Sequence, residues 1–173
     1  MLLRQRLFRS APGLAFLVVN LFLALSLLGY DPGDALRGRS TPDEAAVVPV
    51  ANPCGPVGAQ LAELAQQTFG WASWLGLAAL AALNLLVARG RRPADRVGPA
   101  IGFLLVATVA AALIDRFGAG VRPSAPVGPG GYAGAMAACA LEGQFGLAGM
   151  LLILAAAGVL GVALCQEALI TLP

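Results

Sequence analysis

The residues able to do chemistry in this chain are few, and their types and spacing argue against most reactions. There is no His and no Lys. That removes an imidazole base, a Schiff-base amine and a phosphate-binding lysine. Neither G-x-x-x-x-G-K-[ST] nor G-x-S-x-G occurs. The three cysteines, Cys54, Cys139 and Cys165, lack metal-ligand spacing. A Cys54–Cys139 disulfide stays open if both face an oxidising compartment, although the two are not equivalently placed. Glu63 and Glu142 sit in short Ala-rich stretches and read as solvated helix faces. Asn20 lies near the middle of a long apolar segment, where an amide is costly without a partner; an interhelical hydrogen bond is the expected solution, ahead of a transport site. No ionisable residue falls inside the long apolar segments, where proton relay or coupled transport would need one. The reading is therefore non-enzymatic, with no catalytic, cofactor-binding or metal-ligating residue and no cofactor.

The elements that carry these residues belong in a membrane. Hydrophobic residues make up 58% of the 173 residues and charged ones 12%, the latter about half of what a soluble domain carries. Four charge-free segments, Ser10–Tyr30, Gln66–Ala88, Val97–Ile114 and Gly143–Gln166, match the roughly 20 apolar residues that cross a ~30 Å hydrocarbon core. They lack the alternation of a barrel strand, so helices are expected. The spans are placed at about 11–29, 70–88, 97–114 and 146–165, within a single membrane domain over 1–173. Met1–Ser10 reads as a basic lead on the membrane surface, with Pro12 opening the first helix. The run lacks a small-x-small cleavage site, so an uncleaved first span is expected in place of a signal peptide.

Charge sets the orientation. Arg4, Arg6 and Arg9 precede the first span, and Arg89, Arg91, Arg92 and Arg96 fill the short loop between the second and third. Only Arg37, Arg39, Arg116 and Arg122 lie on the other side. Basic short loops stay inside, so both termini are expected in the cytoplasm. The two long loops are expected on the outer face.

One stretch occurs twice. Gly55–Gly70 reads GPVGAQLAELAQQTFG and Gly131–Gly146 reads GYAGAMAACALEGQFG. Gly55, Gly58, Ala59, Ala62, Phe69 and Gly70 match Gly131, Gly134, Ala135, Ala138, Phe145 and Gly146 at one constant offset. Six identities at a fixed offset point to a duplication. Each copy suits a short interfacial helix, at about 57–68 and 132–143, too short to span and laid on the outer surface. In the first, Leu61, Ala62, Leu64 and Ala65 form an apolar side, and Gln60, Glu63 and Gln67 a polar one. Gly70 and Gly146 are then hinges onto the following span, with Trp71 and Trp74 at headgroup level. Ala78, Ala79, Ala81 and Ala82, the Ala107/Ala111 pair and the Ala157/Gly161 pair offer small-residue faces for helix packing. The predicted architecture is all-α: four transmembrane helices and two interfacial helices, built as a parallel duplication of a span–loop–surface helix–span unit. Its structural motif residues are Gly55, Gly58, Ala59, Phe69, Gly70, Gly131, Gly134, Ala135, Phe145 and Gly146.

SLLGYDPGD (26–34), NPCGPVGAQLAELAQQTFGWASWL (52–75) and GYAGAMAACALEGQFGLAGMLLIL (131–154), in this order and placement, resemble the N-terminal four-span membrane region of the FtsK/SpoIIIE DNA translocases. The resemblance implies a bacterial inner-membrane module that tethers a ring ATPase at the division septum, helps it oligomerise and supports chromosome segregation. The chain as read stops at Pro173, so the ATPase motor and the DNA-reading domain are expected to be absent or encoded separately. The implied partners are the lipid bilayer, other copies of the chain, and a separately encoded motor or division proteins, with no direct nucleic-acid binding. The rival expectations are a small four-span channel or transporter-like protein, or a non-functional fragment of a split translocase.

Overall fold

Helix α1 runs through Leu2–Leu28 in a computed structural model that describes residues 2–34, 50–88, 97–118, 120 and 126–170. The helix starts well before Pro12, not at it. Inside a helix a proline forfeits one i→i−4 hydrogen bond, and the turns on either side carry α1 through that gap. After α1 the chain returns at Val50. Helix α2 spans Gly55–Phe69 with Pro56 in its first turn, where a missing N–H costs nothing. A 3-10 turn, Gly70–Ala72, leads into α3, Ser73–Ala88. Helix α4 is Val97–Phe117 and α5 is Gly131–Ile170. Helix α5 is broken at Gly146, whose backbone (φ 67°, ψ 176°) is not helical. It therefore has a limb before Gly146 and a longer apolar limb after it.

Among the described residues the structure is all-helical, and two helices are long and apolar enough to cross a membrane: α4 and the Gly131–Gln166 part of α5. Leu14–Leu28 of α1 and Ser73–Ala88 of α3 are apolar as well. The arginines behind the orientation argument at positions 37, 39, 89, 91, 92, 96 and 122 lie outside the described residues.

Two small cores hold the bundle. Leu27, Tyr30 and Ala62 form the first, backed by Ala65, Trp74 and Leu77. Ala112, Ala138, Met150 and Leu154 form the second, backed by Val109, Leu113, Ala137 and Leu141. Three positions correspond at the offset of the repeated stretch: Ala62 with Ala138, Ala65 with Leu141, and Trp74 with Met150. Helices α4 and α5 pack along their length because glycines let their backbones meet. A Cβ on Gly102 would sit 2.6 Å from the Gly161 carbonyl oxygen, and one on Gly161 2.8 Å from the Gly102 oxygen. In lipid, close backbone approach substitutes for a hydrophobic drive. Ala107 and Ala111 are buried, as expected of a packing face. The alanines of α3 differ: Ala78, Ala81 and Ala82 are exposed, and it is Asn84 that is buried. Asn20 does not bridge helices; its Nδ2 donates to the Phe16 carbonyl one turn back, which satisfies a donor without a neighbour.

Candidate functional site

The two repeated stretches and the turns that end them form the most constrained part of the molecule. Gly55 (φ 67°), Gly70 (φ 56°), Gly131 (φ 64°) and Gly146 (φ 67°) all take the left-handed backbone region. L-residues avoid that region because Cβ crowds the backbone. Thus the helix of each copy starts and ends on a glycine of positive φ. The second glycine of each copy has a different reason. A Cβ on Gly58 would lie 2.8 Å from Asn52 Oδ1 and 2.9 Å from Ser26 Oγ, and one on Gly134 would lie 2.4 Å from the Ala111 oxygen. The helix of each copy therefore rests on the helix before it through a residue without a side chain. Ala59 (3% exposed) and Ala62 (1%) continue that face in the first copy. In the second, Ala138 is buried and Ala135 half-buried.

Helix α2 turns its small residues inward. The side turned to protein is Gly58, Ala59, Ala62 and Gln66, while Leu61 and Leu64 are exposed. Small residues, not large ones, permit the close approach. Glu63 is half-buried rather than solvated. Its Oε1 accepts from Gln67 Nε2; its Oε2 and the Tyr30 hydroxyl are buried without a well-formed hydrogen bond among the described residues. Burial foremost, and then the nearby Glu63 carboxylate, push the Tyr30 phenol well above its ordinary range. A raised folded-state value favours folding below the unfolded value of about 10 and loses that contribution as pH rises past it. In a Tyr132→Phe variant, tyrosinate absorbance is expected to appear only well above pH 10, coincident with loosening of α2. A free-tyrosine titration would contradict the burial of Tyr30. Glu142 likewise is not simply solvated: Arg116 Nε donates to its Oε2 at 2.9 Å and the guanidinium lies 5.6 Å above the Phe117 ring. Both partners are substantially exposed, so the bridge contributes ~1 kcal/mol at most.

Sequence reasoning missed a buried polar clamp. Asn52 is 4% exposed and Asp34 fully buried. Asn52 Nδ2 donates to the carbonyls of Ser26 (2.9 Å) and Gly29 (3.1 Å), and its Oδ1 accepts from the Cys54 N–H (2.9 Å). Its own N–H donates to Asp34 Oδ2 at 2.9 Å. Asn52 thus terminates α1 and starts α2 at once. The Asn-Pro pair reads as a turn signal; only the three-dimensional approach of Asn52 to Ser26, Gly29 and Asp34 reveals the clamp. Asn52→Ala leaves buried carbonyls and an N–H unpaired, and should cost about 2–3 kcal/mol. Unfolding in detergent micelles checks this; an unchanged midpoint would remove the clamp from the argument.

The copies meet at one joint. The Trp71 N–H donates to the Pro129 carbonyl at 2.8 Å. A Cβ on Gly131 would lie 2.6 Å from the Gly70 nitrogen and 2.7 Å from the Gln67 oxygen. So the structure brings Gly70 and Gly131 together, both buried. It does not bring Gly55 and Gly146 together: a Cβ on either would meet nothing within 4 Å. Phe69 is half-buried, and its counterpart Phe145 is 57% exposed. Next to the joint, α1, α2, α3 and α4 line a cleft of about 210 Å³ with Leu23, Leu61, Ala62, Leu77, Phe103 and Ala107 among its walls. It offers apolar contact and little else. The three cysteines are free, so Cys54 and Cys139 do not pair; Cys54 Sγ instead donates to the Phe22 carbonyl.

The family model described as the 4TM region of DNA translocase FtsK/SpoIIIE matches residues 5–170. Two proteins named DNA translocase FtsK 1, from Neisseria meningitidis serogroup B and from serogroup A / serotype 4A, are 32% and 31% identical over 145 residues. In each case the match covers 80% of this chain and 18% of the relative. The chain therefore spans well under a quarter of the length of those relatives, and the match is to a membrane part, not to a motor domain. No solved structure matches the chain. With its apolar helices, its twice-used Gly-x-x-Gly-Ala stretch and this match over nearly its whole length, the chain belongs to the family of FtsK/SpoIIIE four-span membrane regions.

Proposed function

We propose that this chain is a non-enzymatic, multi-pass anchor and assembly module of the bacterial inner membrane. It holds a DNA-translocase system at the site of division and so serves chromosome segregation. The observation that carries this reading is the family match over residues 5–170. The architecture supports it: apolar helices joined by small-residue contacts, with an outer rim built from the two surface helices. In this reading four helices cross the membrane as a parallel duplication, and both termini lie in the cytoplasm. Gly70 and Gly146 are the hinges between the surface helices and the spans that follow. The partners are lipid, further copies of the chain, and motor or division proteins.

A fluorescent fusion is expected to concentrate at the septum of dividing cells. Uniform membrane staining together with solute flux in liposomes would sink the anchor reading in favour of a channel. Topology is open to a separate measurement. Cys139 is exposed whereas Cys54 is half-buried. A membrane-impermeant maleimide added to spheroplasts should label Cys139 readily, Cys54 slowly, and an Arg91→Cys variant not at all at position 91. Labelling at 91 without labelling at 139 would reverse the orientation.

A further inference from the structure

The joint between the two copies is a head-to-tail contact. The end of the first surface helix (Gly70, Trp71) meets the segment that opens the second (Pro129, Gly131). Shifted by the repeat offset, Gly70 and Trp71 become Gly146 and Leu147, and Pro129 and Gly131 become Pro53 and Gly55. The residue types at the core of this contact are retained: a glycine of positive φ on one side, and a proline two residues before a second such glycine on the other. The chain therefore carries one further tail and one further head. Within one chain they are open. Gly146 and Leu147 are exposed, Pro53 is exposed, and nothing approaches within 4 Å of a Cβ placed on Gly55 or Gly146. The corresponding joint residues Gly70 and Gly131 are buried, with backbone under 3 Å from such a Cβ.

In a repeat array each unit presents to the next the surface it meets on the one before. A two-unit chain whose ends do not close on each other passes that surface to a second chain. We propose that copies of this chain assemble head to tail, the Gly146–Leu147 turn of one copy docking on the Pro53–Gly55 segment of the next, as Gly70–Trp71 docks on Pro129–Gly131 within the chain. The occupant of the open surface is thus a second copy. The Leu147 N–H donates to the neighbour's Pro53 carbonyl, the counterpart of the Trp71–Pro129 bond. Such an interface is heterologous, so it builds a ring or an open row rather than a two-fold dimer. The inference rests on the reading of the chain as a duplicated membrane assembly module.

Disulfide cross-linking in native membranes tests it. The starting chain has Cys54, Cys139 and Cys165 changed to alanine. Pro53→Cys and Leu147→Cys are introduced singly and together, and Trp71→Cys with Pro129→Cys serves as the within-chain reference. On oxidation the reference pair should close inside one chain. The Pro53→Cys/Leu147→Cys chain should give a ladder of dimers and higher multiples. The two single variants should not cross-link alone but should give dimers, and no larger species, when co-expressed. Closure of the Pro53/Leu147 pair within one chain, cross-links between like positions, or monomers only would each overturn the proposal. So would failure of the reference pair to close, since the template contact would then be absent. Membrane fractionation and septal position of the same variants keep the two questions apart. A septal, membrane-embedded monomer would leave the anchor reading standing and end the head-to-tail one.

Discussion

Gly70→Ala is expected to be among the most damaging single-methyl additions to this protein, and Gly146→Ala, at the matching position, a mild one. Both glycines have positive φ with ψ far from helical values, 56°/−136° and 67°/176°. Holding a side chain there costs about 1–3 kcal/mol. They differ in what surrounds them. A Cβ on Gly70 would fall 2.0 Å from the Pro129 oxygen and 2.6 Å from its carbonyl carbon. Those atoms are backbone and belong to the joint, so they cannot move without breaking the Trp71–Pro129 hydrogen bond. Overpacking adds about 1–3 kcal/mol more, and Gly70→Ala should lose on the order of 4 kcal/mol in all. Gly146 has open space around it and carries the conformational term alone. Chain denaturation measured in micelles separates the two, at low protein concentration so that chains do not associate. Equal losses would mean that the joint does not constrain Gly70.

The second large effect is expected where α4 and α5 cross. Gly102→Val places its Cβ 2.6 Å from the Gly161 oxygen and 2.8 Å from Leu164 Cβ, and its methyls must enter the partner helix. A loss of about 3 kcal/mol follows if the helices part by the width of a methyl group. Gly161 faces the Gly102 oxygen at 2.8 Å and Val106 Cγ2 at 2.9 Å. Substitutions at the two positions therefore act on one contact, and the double variant should lose clearly less than the sum of the singles. Additive losses would place the two glycines in independent environments.

The parts of this molecule that were legible in the sequence are those where only one residue type works. A repeated Gly-x-x-Gly-Ala announces positive-φ turns and backbone contacts because no other side chain is small enough. Gly55, Gly58, Gly70, Gly131 and Gly134 are all used in one of these two ways. The apolar segments were legible for the same kind of reason, since lipid accepts little else. The face each helix presents was less so. In lipid the exterior is as apolar as the core, so hydrophobicity ceases to mark the inside, and size takes over. That is why Leu61 and Leu64 are exposed while Ala59 and Ala62 are buried. It gives no rule for α3, whose alanines at 78, 81 and 82 are exposed. The Asn52–Asp34 clamp was illegible because its partners stand 18 residues apart in the sequence, and an Asn before a Pro is common in any turn. Glu63 and Glu142 show the limit of spacing arguments on short helices. Their neighbours Tyr30 and Arg116 come from other elements, and no periodicity within α2 or α5 could have announced them.

The two cores are filled at corresponding positions by Trp74 in one case and Met150 in the other. Trp71 and Trp74 are the chain's two tryptophans, and both directly follow the first repeated stretch. Intrinsic fluorescence of this protein is thus a one-sided reporter. It will follow the environment of α2, α3 and the Trp71–Pro129 joint closely, and an opening of the α4–α5 pair away from that joint will leave it unchanged. An unfolding curve drawn from indole emission and one drawn from helical ellipticity need not coincide, and the gap between them would measure how independently the two halves come apart.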